Sequence, residues 1–405
     1  MTGVRLCMLA PDFYPFWGGV GVNIVDIVRR LPKDFEIHVV AVKRANVNED
    51  ELSKKLGFGG NVRIHLITSA KETFLYNADF QLKCLKHVRR LIRENGVNVI
   101  QSHMAHIPDV LLRFVVDTPI TTYIHSTIRW QLRGILAQLK FSKLELSEAW
   151  TLMLYPILEP IHTGYFLRKK NSYYTTESEF MRNFIKREYG INVREVIPNS
   201  IDLEDVQSCA QKPSSFTEKY KDKNIVLYAG RLVSYKGVGT LIEAIPKILS
   251  EVSDKHETLF LFAGPGNIQG HYKRLKELNI SPENFAFTGP LPREKLLSLM
   301  ALARCTVVPS YIDNIPNVIL ESLACGTPVV GSRIGGIPEA VKHGWNGFLA
   351  QPGDANQLAI GISKLLNDFD LAKKMGQRGI EIVKAKYCWE VNISKYAKLY
   401  QSIAA

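Results

Sequence analysis

Nowhere in the 405 residues do about 18 apolar residues follow one another, so no helix that spans a membrane is expected. The apolar run at 4–10 gives way at once to Pro11-Asp12-Phe13-Tyr14-Pro15, too short for the apolar core of a secretory signal. Cysteines are few: Cys7, Cys84, Cys209, Cys305, Cys325 and Cys388 lie scattered, with no C-x-x-C pair and no metal-type spacing. That pattern excludes a disulfide framework and the common zinc modules. Several of these thiols sit inside apolar runs, where they act as small hydrophobes, and a reducing, cytoplasmic compartment is expected. No module interleaves aromatic and basic residues, and the positive charge is spread out, so no nucleic-acid partner is expected.

What is present is a chain too long for one ordinary core, with a prior of two or three domains of roughly 150–200 residues each. Hydrophobic residues make up 46% and charged residues 22%, a globular balance. The net charge of +12 favours partners that carry phosphate: nucleotides, nucleic acid or an anionic membrane surface. Short apolar runs at 4–10, 35–42, 62–67, 97–102, 120–124, 172–176 and 193–197 alternate with helical patterns at 20–31, 79–94, 107–116 and 178–188. That alternation is the signature of a parallel sheet. The polar segment 207–223 lacks a hydrophobic period and reads as the domain boundary. A second alternation follows, with strands at 224–230, 258–263, 285–288, 305–308, 328–330 and 347–349, and a last amphipathic helix at 389–403. The expected domains are 1–205 and 206–386, with 387–405 as a C-terminal helix.

Candidate chemistry concentrates at strand ends. The run Cys305-Thr306-Val307-Val308 stops at Pro309, and a loop to Pro316 feeds a helix that starts at Asn317. Free N–H groups at such a helix start favour an anion. Asp313 and Glu321 flank that place, and a carboxylate beside phosphate suits hydrogen bonds from sugar hydroxyls, so a phosphorylated sugar or nucleotide is the ligand suggested. Arg231 and Lys236 bracket the turn after the strand at 224–230, a placement that suits a diphosphate. Gly18-Gly19 precedes a helix and reads either as backbone opened to a phosphate or as a plain tight turn. Gly264-Pro265-Gly266 is a weak signal by itself. His125 ends a strand and is either a site residue or a hydrogen-bonded structural histidine; His103 and His106 lack a nearby third metal ligand. Asp368-Phe369-Asp370 falls between helices, away from any strand end, and is set aside as a metal clamp. Residues 127–144 form a basic amphipathic pattern with Arg129, Arg133, Lys140 and Lys143, which fits either an anionic bilayer or the protein's own core. Residues 152–167 are apolar but broken by Pro156, Pro160 and Gly164, and read as kinked packing.

With those residues in view, the sequence resembles the GT-B-fold retaining glycosyltransferases of family four. The motifs are A-G-R-L-V-S-Y-K-G, A-G-P-G, F-T-G-P-L and the stretch 309–340 in the second half. F-Y-P-F-W-G-G-V, T-Y-I-H-S and I-P-N-S-I-D carry it more loosely in the first. The resemblance implies two Rossmann-like parallel-sheet α/β domains facing across a cleft, with the final helix crossing back to the first. It implies that Arg231 and Lys236 hold the diphosphate of a UDP- or GDP-sugar, Glu321 the ribose, and Asp313 and His125 the transferred sugar. Gly18, Gly19, Gly230, Gly264, Asn314, Asn317, Val318 and Asn199 are the further donor-binding positions. Asp313 stands where the family carries Glu, one methylene longer. The expected activity is metal-independent hexosyl transfer with retention, to a lipid-linked or glycan acceptor. No cofactor is expected, and an anionic membrane surface on the cytoplasmic side is a further partner. A nucleotide-sugar epimerase and a non-enzymatic basic binding protein are the competing readings.

Overall fold

The strand runs have both faces buried, and the packing shows why they read as nearly continuous hydrophobic stretches. In Asn224–Ala229, Ile225 and Leu227 enter one core while Val226 and Tyr228 enter the core on the other face. In Thr258–Ala263, Leu259 and Leu261 face the first and Phe260 and Phe262 the second. Each such side chain, fully buried, contributes about 1.5–3 kcal/mol. The computed structural model describes residues 3–11, 13–14, 19–43, 47–69, 76–103, 109–139, 146–167, 171–212 and 215–405.

Two compact units result, one of Met1–Thr127, Pro156–Asn199 and Trp389–Ala405, the other of Ile128–Tyr155 and Ser200–Cys388. The first holds β1 (Arg5–Ala10), β2 (Glu36–Lys43), β3 (Val62–Ser69), β4 (Val99–His103), β5 (Ile120–Ile124), β6 (Ser172–Thr176) and β7 (Glu195–Val196). They form a seven-stranded sheet in the order β3-β2-β1-β4-β5-β6-β7, with every pairing parallel. The second holds β8 (Asn224–Ala229), β9 (Thr258–Ala263), β10 (Phe285–Gly289), β11 (Cys305–Val308), β12 (Val329–Ser332) and β13 (Gly347–Ala350). These pair in parallel as β10-β9-β8-β11-β12-β13. Both are doubly wound α/β sheets, the fold class expected.

Local chemistry sets many helix ends. Ser178 accepts from Met181 N at the start of Glu179–Tyr189, and Gly190 closes it in the left-handed conformation. Asp202 likewise caps Leu203–Gln211, whose Val206 and Cys209 enter the core of the second unit. The segment 207–223 is therefore in part a packed helix, not a polar linker. The buried residues of that helix, Val206 and Cys209, stand only three apart and escape a search for longer periods. Residues Leu146–Leu167 form one helix that keeps Pro156 and Pro160 inside it. Among the described residues no helix is long and apolar enough to cross a membrane. The final helix, Trp389–Ala404, places Trp389, Tyr396, Leu399, Tyr400 and Ile403 in the core of the first unit.

Unusually for a core, the first unit buries several imidazoles. His103 is fully enclosed, with Nδ1 3.2 Å from Nε2 of His125. His38 lies 2.9 Å from His65, whose ring centroid is 4.8 Å from that of His87. Burial holds His103, His38 and His87 below the ordinary value of 6.5, and burial with the neighbouring His87 takes His65 down to about 4. The unfolded chain binds protons at these groups near pH 6.5, whereas the folded chain does not until lower pH. Their contribution is therefore complete above about pH 6.5 and is lost as pH falls toward 4. The thermal midpoint is expected to drop between pH 7 and pH 5, with a shallower slope in His65→Gln. A flat profile, or an unchanged slope in that variant, would overturn this account.

Candidate active site

The order of the second sheet sets β8 beside β11, with β9 and β10 continuing on one side and β12 and β13 on the other. The winding reverses between β8 and β11, so the loops leaving their carboxyl ends diverge and make room for a ligand. Those loops are 230–237 and 309–316.

The first loop leaves β8 at Gly230, whose amide donates to Ala263 O at 2.9 Å. It is braced by Tyr228, whose hydroxyl donates to Arg231 O at 2.7 Å. A single 3-10 turn, Ser234–Lys236, ends at Gly237, which has φ +72. A Cβ on Gly237 would stand 1.9 Å from the carbonyl oxygen of Pro309, so the two loops approach at a distance only glycine permits. Tyr311 N donates to Tyr235 O at 2.9 Å, and the hydroxyls of Thr240 and Tyr311 lie 2.8 Å apart, which fixes the register of the loops.

Within that frame Lys236 Nζ donates to Asp313 Oδ2 at 2.6 Å, and Ser310 Oγ donates to the same oxygen at 3.0 Å. Arg231 hydrogen-bonds the Tyr235 hydroxyl through Nη2. Its guanidinium carbon is 5.5 Å and the Lys236 ammonium 5.7 Å from the Tyr235 ring centroid. Lys236 and Asp313 open onto a pocket of about 190 Å³, whose walls include Gly230, Ser310, Pro316 and Val318. Pro316 precedes the helix Asn317–Ala324 and no side chain caps that end, so the first amides present their partial positive charge there. An ammonium, an uncapped helix start and a glycine-lined floor form a receptor for an anion, with a carboxylate at hand for hydroxyl groups.

Other expected residues lie beside this pocket, outside its wall. Arg231 is exposed, and Asn314 is buried in the loop. Glu321 is one turn into the helix, with Oε1 3.5 Å from Nε of Arg293, which also holds Asp205 at 2.6 Å. Burial raises the Glu321 carboxyl above its ordinary value while Arg293 pulls it back. Gly264, φ +147, would bring a Cβ within 1.9 Å of Gly230 O; its lack of a side chain lets the end of β9 close on the loop.

The first unit gathers His125 and Asn199 around a residue that sequence reasoning missed. Glu177, buried at the end of β6, accepts from Asn199 Nδ2 at 2.9 Å through Oε2, and the same oxygen is 3.5 Å from His125 Nδ1. Asn23 donates to Asn199 Oδ1 at 3.1 Å. The overlooked signal was a carboxylate directly after a buried strand, in Thr175-Thr176-Glu177. Gly19 begins the helix Gly19–Arg30 and is exposed, while Gly18 and His106 fall outside the described residues. Asp368 is a helix cap, accepting from Leu371 N at 2.9 Å. Among the described residues no group of three or more His, Cys, Asp or Glu is placed to hold a metal ion.

Comparison with known proteins agrees with the fold. Residues 17–205 match the family described as Glycosyltransferase Family 4, and residues 211–382 match Glycosyl transferases group 1. An uncharacterized glycosyltransferase of Methanocaldococcus jannaschii is 26% identical over 97% of both chains. The D-inositol 3-phosphate glycosyltransferase of Corynebacterium jeikeium is 31% identical over 44% of this chain and 43% of its own. Sucrose-phosphate synthase from Thermosynechococcus elongatus superposes with a TM-score of 0.76 at 20% identity, over 99% of both chains. HepE of Anabaena, in complex with UDP, gives 0.71 at 18% identity, over 98% of this chain and 100% of its own.

The loop approach yields a paired prediction. Gly237→Ala is expected to lower stability by at least about 2 kcal/mol, because a Cβ meets backbone at a left-handed φ. Gly239→Ala, two residues on and with nothing within 4 Å of its Cβ, is expected to be neutral or stabilising by up to about 1 kcal/mol. Denaturant midpoints decide it, and equal effects at the two positions would contradict the packing described.

Proposed function

The chain belongs to the group 1 glycosyltransferases of GT-B fold, and on that premise we propose that it moves a hexose or N-acetylhexosamine from a UDP- or GDP-linked donor, with retention and without a metal, to a lipid-linked or glycan acceptor. The observation that carries the reading is the meeting of Lys236, Asp313 and the uncapped start of Asn317–Ala324 at one pocket on the switch point of the sheet. HepE, which shares the fold, is recorded in complexes with UDP and with UDP-glucose, and that supports a nucleotide-sugar donor.

In this reading the bond between the anomeric carbon and the phosphate oxygen breaks as the acceptor oxygen bonds to the same face of the sugar. The acceptor proton passes to the departing phosphate, so no carboxylate need act as nucleophile. Lys236, Arg231 and the helix amides oppose the charge that grows on the leaving diphosphate, the term that usually dominates catalysis. Asp313 orients hydroxyls of the transferred sugar, with Ser310 and Lys236 holding its carboxylate in place. Gly230, Gly264, Asn314, Asn317 and Val318 shape the phosphate side, and Glu321 takes the ribose. His125, Asn199, Gly18 and Gly19 are the remaining donor-binding positions proposed.

For the acceptor, the reaction proposed at the cytoplasmic face of a membrane is favoured by one apolar surface suited to bilayer contact. Trp150, Met153, Ile157 and Ile161 are all exposed along Leu146–Leu167, at helical spacing that puts them on one side. A phosphorylated small-molecule acceptor is the second reading, favoured by the likeness to the D-inositol 3-phosphate enzyme.

Arg231→Ala and Lys236→Ala are each expected to reduce turnover at least about a hundredfold, which is about 2.7 kcal/mol, with unchanged circular dichroism. Chelation is expected to leave the rate unaltered, and product NMR to show the donor's anomeric configuration kept. Near-wild-type turnover in either variant refutes the assignment. Met153→Asp with Ile157→Asp is expected to abolish flotation on anionic vesicles; equal flotation would remove the membrane from the proposal.

A further inference from the structure

A second basic pocket lies at the outer edge of the first unit's sheet. β3 is the edge strand, and the helix Tyr76–Asn95 packs through Phe80, Cys84, Val88 and Leu91 into the core there. Beside that apolar stripe the same helix carries Lys83, Lys86, His87 and Arg90, spaced i, i+3, i+4 and i+7 along one side. With Arg89 and Arg93 they line a cavity of about 800 Å³, whose other walls come from His65 to Ile67 on β3 and from Glu49. That volume suits a small organic ligand.

Cations that guard an edge strand against pairing are the ordinary explanation. The charge balance goes further than guarding requires. Five cations meet one carboxylate in the lining, and Glu49 already accepts from Leu66 N at 2.6 Å. Lys83 is answered by Asp79 at 2.9 Å, but among the described residues Lys86, Arg89 and Arg90 form no ion pair with a carboxylate. Arg90 Nη2 lies 3.1 Å from Nδ1 of His87. A guanidinium only donates, so that nitrogen accepts and the proton of the neutral imidazole sits on Nε2. Nε2 of His87 is buried and has no hydrogen-bond partner among the described residues. The pocket is thus rich in donors and poor in acceptors, the reverse of what a surface at rest requires.

We propose that this pocket is a second anion site, one that binds a phosphorylated small molecule or headgroup through Lys86, Arg89 and Arg90. It goes beyond the transfer reaction, shares no lining residue with the pocket at β8 and β11, and stands or falls separately from the donor assignment. A phosphate supplies the missing acceptor oxygens and the missing negative charge, and a diphosphate fits the three unanswered cations. The imidazoles beside it report occupancy. His65 is held low by burial, then by His87, His38, Arg90 and Arg63, and His87 by burial, Arg90 and His38. Glu36 lies 3.3 Å from His38 on the far side of the stack. A bound dianion favours the charged imidazoles and moves both midpoints up.

The experiment is a titration of the full chain with inorganic pyrophosphate, followed by NMR of the histidine ring protons. Lys236→Ala serves as the background that weakens the donor pocket. Saturable shifts of His65 and His87 are expected there, with titration midpoints raised by about half a pH unit or more. Lys86→Gln with Arg90→Gln, both at exposed positions, is expected to weaken the effect at least tenfold, and Arg89→Gln alone several-fold. Vesicles of phosphatidylglycerol distinguish the source: competition for the same resonances assigns a lipid headgroup, and its absence assigns a free phosphorylated molecule. Unmoved histidines, or pyrophosphate affinity unchanged by the substitutions, would overturn the site.

Discussion

The second unit depends on the close approach of two backbones. Gly237 lies against the Pro309 carbonyl where no side-chain atom fits, and this contact sets how far apart the loops after β8 and β11 can stand. Once they meet there, the hydrogen bond from Tyr311 N to Tyr235 O and the Thr240–Tyr311 hydroxyl pair follow as neighbouring contacts. Lys236 is the residue directly before Gly237, and Asp313 lies four residues after Pro309. Their 2.6 Å pairing is therefore a consequence of backbone packing, not an independent event. A glycine with no side chain of its own thus sets the geometry of the charged groups.

The ion pair also carries a chemical tension. Both side chains are mostly enclosed, with 23% and 15% of their surface exposed, so removing either partner leaves a poorly hydrated charge. The diphosphate of the proposed donor, arriving beside Lys236, would bring more negative charge than Asp313 offers and compete for the same ammonium protons. Ser310 and the arriving sugar hydroxyls can then satisfy the carboxylate. In the proposed donor complex the resting contact would act as a placeholder, holding both groups toward the pocket and exchanged, rather than simply broken, on binding. Aspartate is well suited to this, because its short side chain holds the carboxylate close to a loop that the backbone already fixes.

How much of this could be read from the sequence depended on whether the signal was local. The strand runs around Val226, Phe260 and Val307 were legible because both faces are buried, and the loop with Asp313 because it lies between such a run and a helix start. The helix Leu203–Gln211 was not legible, since two buried residues among polar ones look like a linker until the neighbouring core is known. Glu177 escaped because its meaning comes from His125 and Asn199, which lie 52 and 22 positions away. Arg293 escaped likewise: its hold on Glu321 exists only in three dimensions. Lys83, Lys86, His87 and Arg90 lay unremarked within the helical pattern at 79–94, and nothing in their spacing said that β3 would bring His65 against them.

The net charge of +12 illustrates the same limit from the other direction. A sum of charges favours anionic partners without saying where they bind, and the placement of counter-charges supplies what the sum leaves out. At the pocket between β8 and β11 the ammonium has a carboxylate of its own, so the donor proposed there would offer more than charge: hydroxyls for Asp313 as well as phosphate for Lys236. At the edge of the first sheet Lys86, Arg89 and Arg90 have no such answer among the described residues, so phosphate alone is enough. A self-neutralised site discriminates by shape and hydrogen bonding, whereas an unanswered one discriminates chiefly by charge. The two basic pockets of this chain therefore demand different chemistry, although residue counts make them look alike.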